Sequence, residues 1–105
     1  MNRPNPLTFN EFSIRPVSRD IFGASFFYEA PVMIRDKIYT VCMEPCLKGF
    51  DVGIYSSDDN LIFHKDCTKT IPGSDFSDRA KVRAILLANR FVNNIYYGYK
   101  KNMVQ

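Results

Sequence analysis

Cys42, Cys46, His64 and Cys67 are all the cysteines and the only histidine of this 105-residue chain, and they fall in two close pairs. The first pair is spaced C-x3-C; seventeen residues later the second is spaced H-x2-C. Thiolates and imidazole suit a tetrahedral zinc ion, and a hairpin over residues 50–63 would bring the pairs together. With four protein ligands such a site would be structural, since no position is left for a substrate. The competing reading makes the three cysteines small buried hydrophobes. Neither pair carries the flanking glycine of a zinc knuckle. No cofactor other than this zinc is expected.

A second set of residues is electrostatic. Residues 1–78 carry a net charge of −3, whereas residues 79–105 hold Arg79, Lys81, Arg83, Arg90, Lys100 and Lys101 and no acid, so the total is +3. An acidic body joined to a basic terminal section points to a charged partner. The basic section ends in Asn-Asn-Ile-Tyr-Tyr-Gly-Tyr-Lys-Lys. Lys and Arg neutralise phosphates and aromatic rings stack on bases, which gives a nucleic-acid reading. A solvated helix face with tyrosines closing the core edge would look the same.

Catalytic signals are thin. His64, Asp66 and Cys67 stand together, but Asp58 and Asp59 sit in a turn signal, where such residues serve the turn. There is no phosphate loop, no G-x-S-x-G and no H-E-x-x-H. The chain is therefore expected not to be an enzyme.

The elements that would position these residues follow from periodicity. Residues 1–8, with Pro4 and Pro6, read as an extended arm, and residues 9–105 as one α+β domain. Residues 12–17 suggest a strand pushed to an edge by Pro16. Residues 24–29 suggest a second strand, and Pro31 restarts the pattern. Residues 32–35 and 38–43 flank Asp36-Lys37 like a hairpin, although the turn lacks the glycine that positive φ favours. Residues 45–49 read as a connection. Phe50, Val52 and Ile54 alternate with Asp51, Gly53 and Tyr55, a half-buried strand. The turn at 56–60 leads to a partner strand at 61–64.

After Ile71-Pro72-Gly73, Ser74 or Asp75 can cap a helix that runs from about 75 to Tyr97, with Gly98 as its stop. Projected at about 100° per residue, Ala80, Ala84, Leu87, Ala88, Phe91 and Ile95 make an apolar stripe. Arg79, Arg83, Arg90 and Asn94 make the opposite one, with Leu86 and Tyr97 inside it. The expected fold is a small antiparallel sheet of about five strands packed against one long C-terminal helix.

Apolar and arginine side chains on an exposed face match the make-up of binding hot spots. The functional expectation is a protein-binding module, an inhibitor or modulator of a larger complex in the style of phage accessory proteins. It would use Arg79, Arg83, Leu86, Arg90, Asn94, Tyr97, Lys100 and Lys101 against an acidic surface. Nucleic-acid binding, with or without zinc, is the alternative, and a homodimer through the same face is a third option. No stretch has the ~20 apolar residues needed to span a bilayer. The N-terminal residues lack the apolar region of a secretory signal, and the odd cysteine count suits a reducing compartment, so a cytoplasmic location is expected.

Overall fold

The alternation along residues 50–55 settles which face of the sheet is buried. Phe50, Val52 and Ile54 are wholly enclosed, while Asp51 and Tyr55 point away from them. The structure, a computed structural model, describes residues 4–20, 23–46, 49–66, 78–100 and 103–104. For residues 15–20, 23–26, 46, 49, 66, 78 and 79 it describes the backbone alone.

A single 3-10 turn, Phe9–Glu11, precedes five strands: β1 (Ser13–Asp20), β2 (Gly23–Ile34), β3 (Lys37–Cys46), β4 (Gly49–Tyr55) and β5 (Leu61–Asp66). The helix α1 (Asp78–Tyr97) follows. The strands form one antiparallel meander in the order β1-β2-β3-β4-β5. The molecule is thus a small α+β fold with the helix on one face of the sheet. Residues 75–77, where the helix was expected to start, lie outside the described residues.

Three expectations about strand limits change. The segments expected at 24–29 and 32–35 are one strand, β2, which runs straight through Pro31. β1 reaches only to the level of Glu29. Beyond that level no described strand pairs with this edge of β2, and a proline is tolerated at such an edge. Pro45 is likewise no connection but part of β3, paired with Phe50 near the strand end. The hairpin turn lies at Arg35-Asp36 rather than Asp36-Lys37, with φ of 50° and 67°.

Both turn residues therefore adopt the left-handed conformation of a primed turn without glycine. Arg35 is held there by α1: its Nε donates to the Tyr96 carbonyl at 3.0 Å, and its guanidinium lies 4.3 Å from the centre of the Tyr96 ring. Asp36 is exposed. Asp36→Gly is expected to raise unfolding free energy by about 0.5–1 kcal/mol, because glycine takes positive φ without a Cβ penalty. Arg35→Gly relieves the same strain but loses both contacts to α1, so its melting temperature should not rise. Thermal denaturation of the two variants checks this.

The core lies between the inner sheet face and α1. Ala30, Val32 and Ile34 of β2, Val41 and Met43 of β3, the three β4 residues and Phe63 of β5 face Ala80, Ala84, Leu87, Ala88, Phe91 and Val92. Ala80, Ala84 and Ala88 recur every fourth residue, so their small side chains share one line along the helix and admit close packing. Phe63 and Phe91 stack at 5.5 Å with planes 21° apart.

The N-terminal arm is anchored rather than loose. Leu7 is buried; its amide donates to Asn89 Oδ1 at 2.7 Å, and Asn89 Nδ2 donates back to the Leu7 carbonyl at 3.1 Å. Phe9 packs on Tyr28 with ring centres 5.0 Å apart. Gly98, at φ 78°, ends α1 as expected, and the Tyr99 amide returns to the Asn94 carbonyl at 2.8 Å. Residues 103–104 lie against β5, where the Val104 amide donates to the Ile62 carbonyl at 2.7 Å.

Candidate functional site

The outer side of α1 carries the residues expected to bind a partner. Leu86 is 62% exposed and Tyr97 49%, with Arg83 and Arg90 exposed beside them. Lys100 is exposed just past the helix. The side chains of Arg79 and Lys101 lie outside the described residues. Val82, 57% exposed, joins the stripe one turn before Leu86. Its i, i+4 relation to Leu86 was visible in the sequence as an apolar residue off the core stripe. The N-terminal arm docks on Asn89 and Lys81, with the Lys81 ammonium 5.0 Å from the Phe9 ring centre. Asn89 lies one turn from Leu86, so the arm borders the stripe, and Leu86 stays open beside it.

Asn94 corrects the expectation: it is 6% exposed and belongs to the buried side. It follows Leu87 by seven residues, two turns, which drifts by only about 20° on a helix. The two share one edge of α1, and the burial boundary runs between Asn94 and Arg90. Ile95, placed on the central stripe, is only partly buried against the core.

At the end of α1 the tyrosines pack on one another. Tyr96 meets Tyr97 edge-on at 4.9 Å, and Tyr97 stacks on Tyr99 at 5.5 Å. Part of the ring surface that a base would need is thus used within the cluster.

Of the cysteine–histidine set, the backbone of β3 bears on the Cys42–Cys46 pair alone. β3 holds Cys42 and Cys46 in one extended run, and four residues at about 3.3 Å each separate their Cα atoms by about 13 Å. The two cannot ligate one ion as a knuckle. Cys67 lies outside the described residues, and of Cys46 only the backbone is described. Among the described residues no group of three or more His, Cys, Asp or Glu side chains is arranged to hold a metal ion.

What the sheet does bring together is different. Cys42 pairs with Gly53, and Gly53 with His64, so the three lie in one row across β3, β4 and β5 on the outer face. Glu29 of β2 and Ser13 of β1 continue the row. Gly53 is buried, and the Leu61 side chain closes over it: a Cβ there would sit 3.0 Å from Leu61 Cδ1 and 3.7 Å from His64 Cδ2. In the neighbouring row Glu44 stands opposite Asp51, and Asp51 opposite Asp66. On the other side Thr40 pairs with Tyr55.

Residues 27, 29, 40, 42, 44, 51, 53, 55 and 64 of these strands, with Asp59 from the β4–β5 turn, line an open concavity of about 380 Å³. Burial, then the electrostatic influence of Cys42 and of Glu44, holds the Tyr55 phenol above its usual pKa of 10.0. The folded state thus retains a proton that the unfolded chain releases, and its contribution is present below pH 10 and lost as pH rises through the higher folded value. Unfolding free energy should therefore fall above pH 10, and Tyr55→Phe should flatten that fall in denaturant titrations at stepped pH.

Three comparisons, with protein-family models, with curated proteins and with solved structures, find no match to this chain. No helix is long and apolar enough to cross a membrane among the described residues.

Proposed function

We propose that the chain is a non-catalytic protein-binding module whose outer helix face docks on an acidic, partly apolar surface of a partner protein. The observation that carries this reading is the stripe of Val82, Leu86 and Tyr97, large apolar groups left open on α1 and bordered by the exposed Arg83 and Arg90. A solvated helix face has no use for an exposed leucine, valine and tyrosine in one line. Aromatic and arginine side chains together are the composition of interface anchors. Their positive charge selects a negative counterpart and speeds encounter with it. Steric occlusion of that counterpart is the mechanism such a small module can exert, which makes an inhibitor or modulator the leading role.

The experiment is affinity capture from the source cells with the tagged chain, followed by titration of the purified captured protein against wild type, Leu86→Ser and Arg83→Glu/Arg90→Glu. Loss of affinity in both variants, at unchanged melting temperature, supports the reading. Undiminished affinity in both removes this face. A gel shift with single- or double-stranded nucleic acid that weakens steeply with salt would favour the nucleic-acid alternative instead.

A further inference from the structure

We propose that the side of α1 on which the N-terminal arm lies is a binding site for an extended segment of a partner protein, and that the arm is its resident occupant. The partner segment has the pattern Leu-x-Phe, with acidic residues before the leucine. This goes beyond the helix-face reading and rests on it only for the negative charge of the partner.

The arm shows how the site holds a chain. Asn89 commits both ends of its side-chain amide to the backbone of one residue. Its Oδ1 accepts from the Leu7 amide at 2.7 Å, and its Nδ2 donates to the Leu7 carbonyl at 3.1 Å. Such a pair of bonds reads a main chain whatever side chain it carries. The side chains are read beside it. Leu7 is buried in the core cluster, and Phe9 meets the Tyr28 ring at 5.0 Å and the Lys81 ammonium at 5.0 Å.

The site is longer than the part of it that the arm uses. Lys81, Ile85, Asn89 and Asn93 follow at four-residue steps, so they share one line along α1. The arm runs antiparallel to α1, with Leu7 at Asn89 and Phe9 at Lys81. A four-residue step along a helix advances about 6 Å, and two residues of extended chain advance about 6.6 Å. Asn93 therefore stands level with the residue two places before the leucine, which in the arm is Asn5. Asn5 is exposed, and Asn93 is half-buried with no partner for its side-chain amide among the described residues. Asparagine is a poor helix former, so a second one a turn beyond Asn89 weakens α1, and an incoming backbone gives it a use.

Charge separates the partner from the arm. Arg90 follows Asn89, is exposed, and makes no ion pair among the described residues. Before its leucine the arm offers Pro4, Asn5 and Pro6, none of them charged. A segment with acidic residues there gains Arg90, and one that follows the line gains Asn93 as well. Those contacts let it displace an arm whose tether gives an effective concentration on the order of millimolar.

The test titrates fluorescent, end-blocked Asp-Glu-Gly-Leu-Thr-Phe into the full chain, beside Asp-Glu-Gly-Ser-Thr-Phe and Pro-Asn-Pro-Leu-Thr-Phe. The first should bind at least about tenfold more tightly than either of the others. The Leu7 and Thr8 amide resonances should move with occupancy to the positions of a released arm. Leu7→Ser removes the competitor and should bind the first peptide at least about tenfold more tightly than wild type. Asn93→Ala should weaken it about fivefold, the worth of about one hydrogen bond, at a melting temperature no lower than wild type. Leu86→Ser should leave it unchanged.

Equal binding of the serine peptide, or arm resonances that stay in place at saturation, overturns the site. Wild-type affinity in Asn93→Ala overturns the register along α1. A folded Leu7→Ser that binds no more tightly than wild type overturns displacement of the arm; if that variant does not fold, the arm resonances of the wild type decide the same point. Equal binding of the Pro-Asn-Pro peptide overturns the acidic pattern, and loss of binding in Leu86→Ser moves the contact to the open stripe. Failure of all three peptides overturns the site and leaves the helix-face reading to its own titrations.

Discussion

Phe91→Ala should unfold much of the protein at temperatures where the wild type is native. The ring is wholly buried, and it stacks on Phe63 at 5.5 Å, which joins α1 to β5 at the centre of the single core. Removing a buried phenylalanine side chain costs about 3–5 kcal/mol, from lost transfer energy and the cavity left behind. A domain of this size has on the order of 5–15 kcal/mol in total. The melting temperature should fall by roughly 12–40 °C, at about 4–8 °C per kcal/mol.

The cavity cannot close easily, because Ala84 and Ala88 beside it have no longer side chain to swing in. Phe91→Leu, which keeps most of the volume, should cost much less, about 1–1.5 kcal/mol. Calorimetry or chemical denaturation checks both. A Phe91→Ala protein that melts within a few degrees of wild type would mean that α1 is not held on the sheet as described.

Arg83→Glu with Arg90→Glu should reduce partner affinity by on the order of 10³, if each arginine contributes about 2 kcal/mol as interface anchors do. Both side chains are exposed on α1. Surface substitutions of this kind change stability by no more than about 0.5 kcal/mol, so folding should be untouched. Reversing the sign does more than delete two contacts, since each new glutamate repels the acidic surface that the arginines select. Wild-type affinity should weaken as salt rises, and the doubly reversed variant should lose that dependence or invert it. Arg90→Glu alone, at the boundary with the buried Asn94, is expected to show more than half of the effect. A titration in which the double variant binds within twofold of wild type would exclude this face.

Much of the architecture was legible locally. The alternation of Phe50, Val52 and Ile54 with polar neighbours needs only the period of a strand, and the stripe of Ala80, Ala84, Leu87, Ala88 and Phe91 only that of a helix. Gly98 ended the helix where a left-handed residue was required. The exposed Leu86 and Tyr97 were visible as apolar residues on the wrong side of that stripe. Local signals misled where a partner strand decides the outcome. Pro31 looked like a break, but β2 passes through it at a level beyond the end of β1.

The amino-acid sequence by itself determined which residues prefer water, which turn and which coil, because those preferences act over a few neighbours along the chain. Only the tertiary structure decided which of them meet. Cys42 and Cys46, four residues apart, are held about 13 Å from each other by an extended backbone. Cys42, Gly53 and His64, spread over the middle of the chain, share one row. Row membership depends on strand register, and register is fixed by how the whole inner face buries against α1. No short stretch of sequence contains that information.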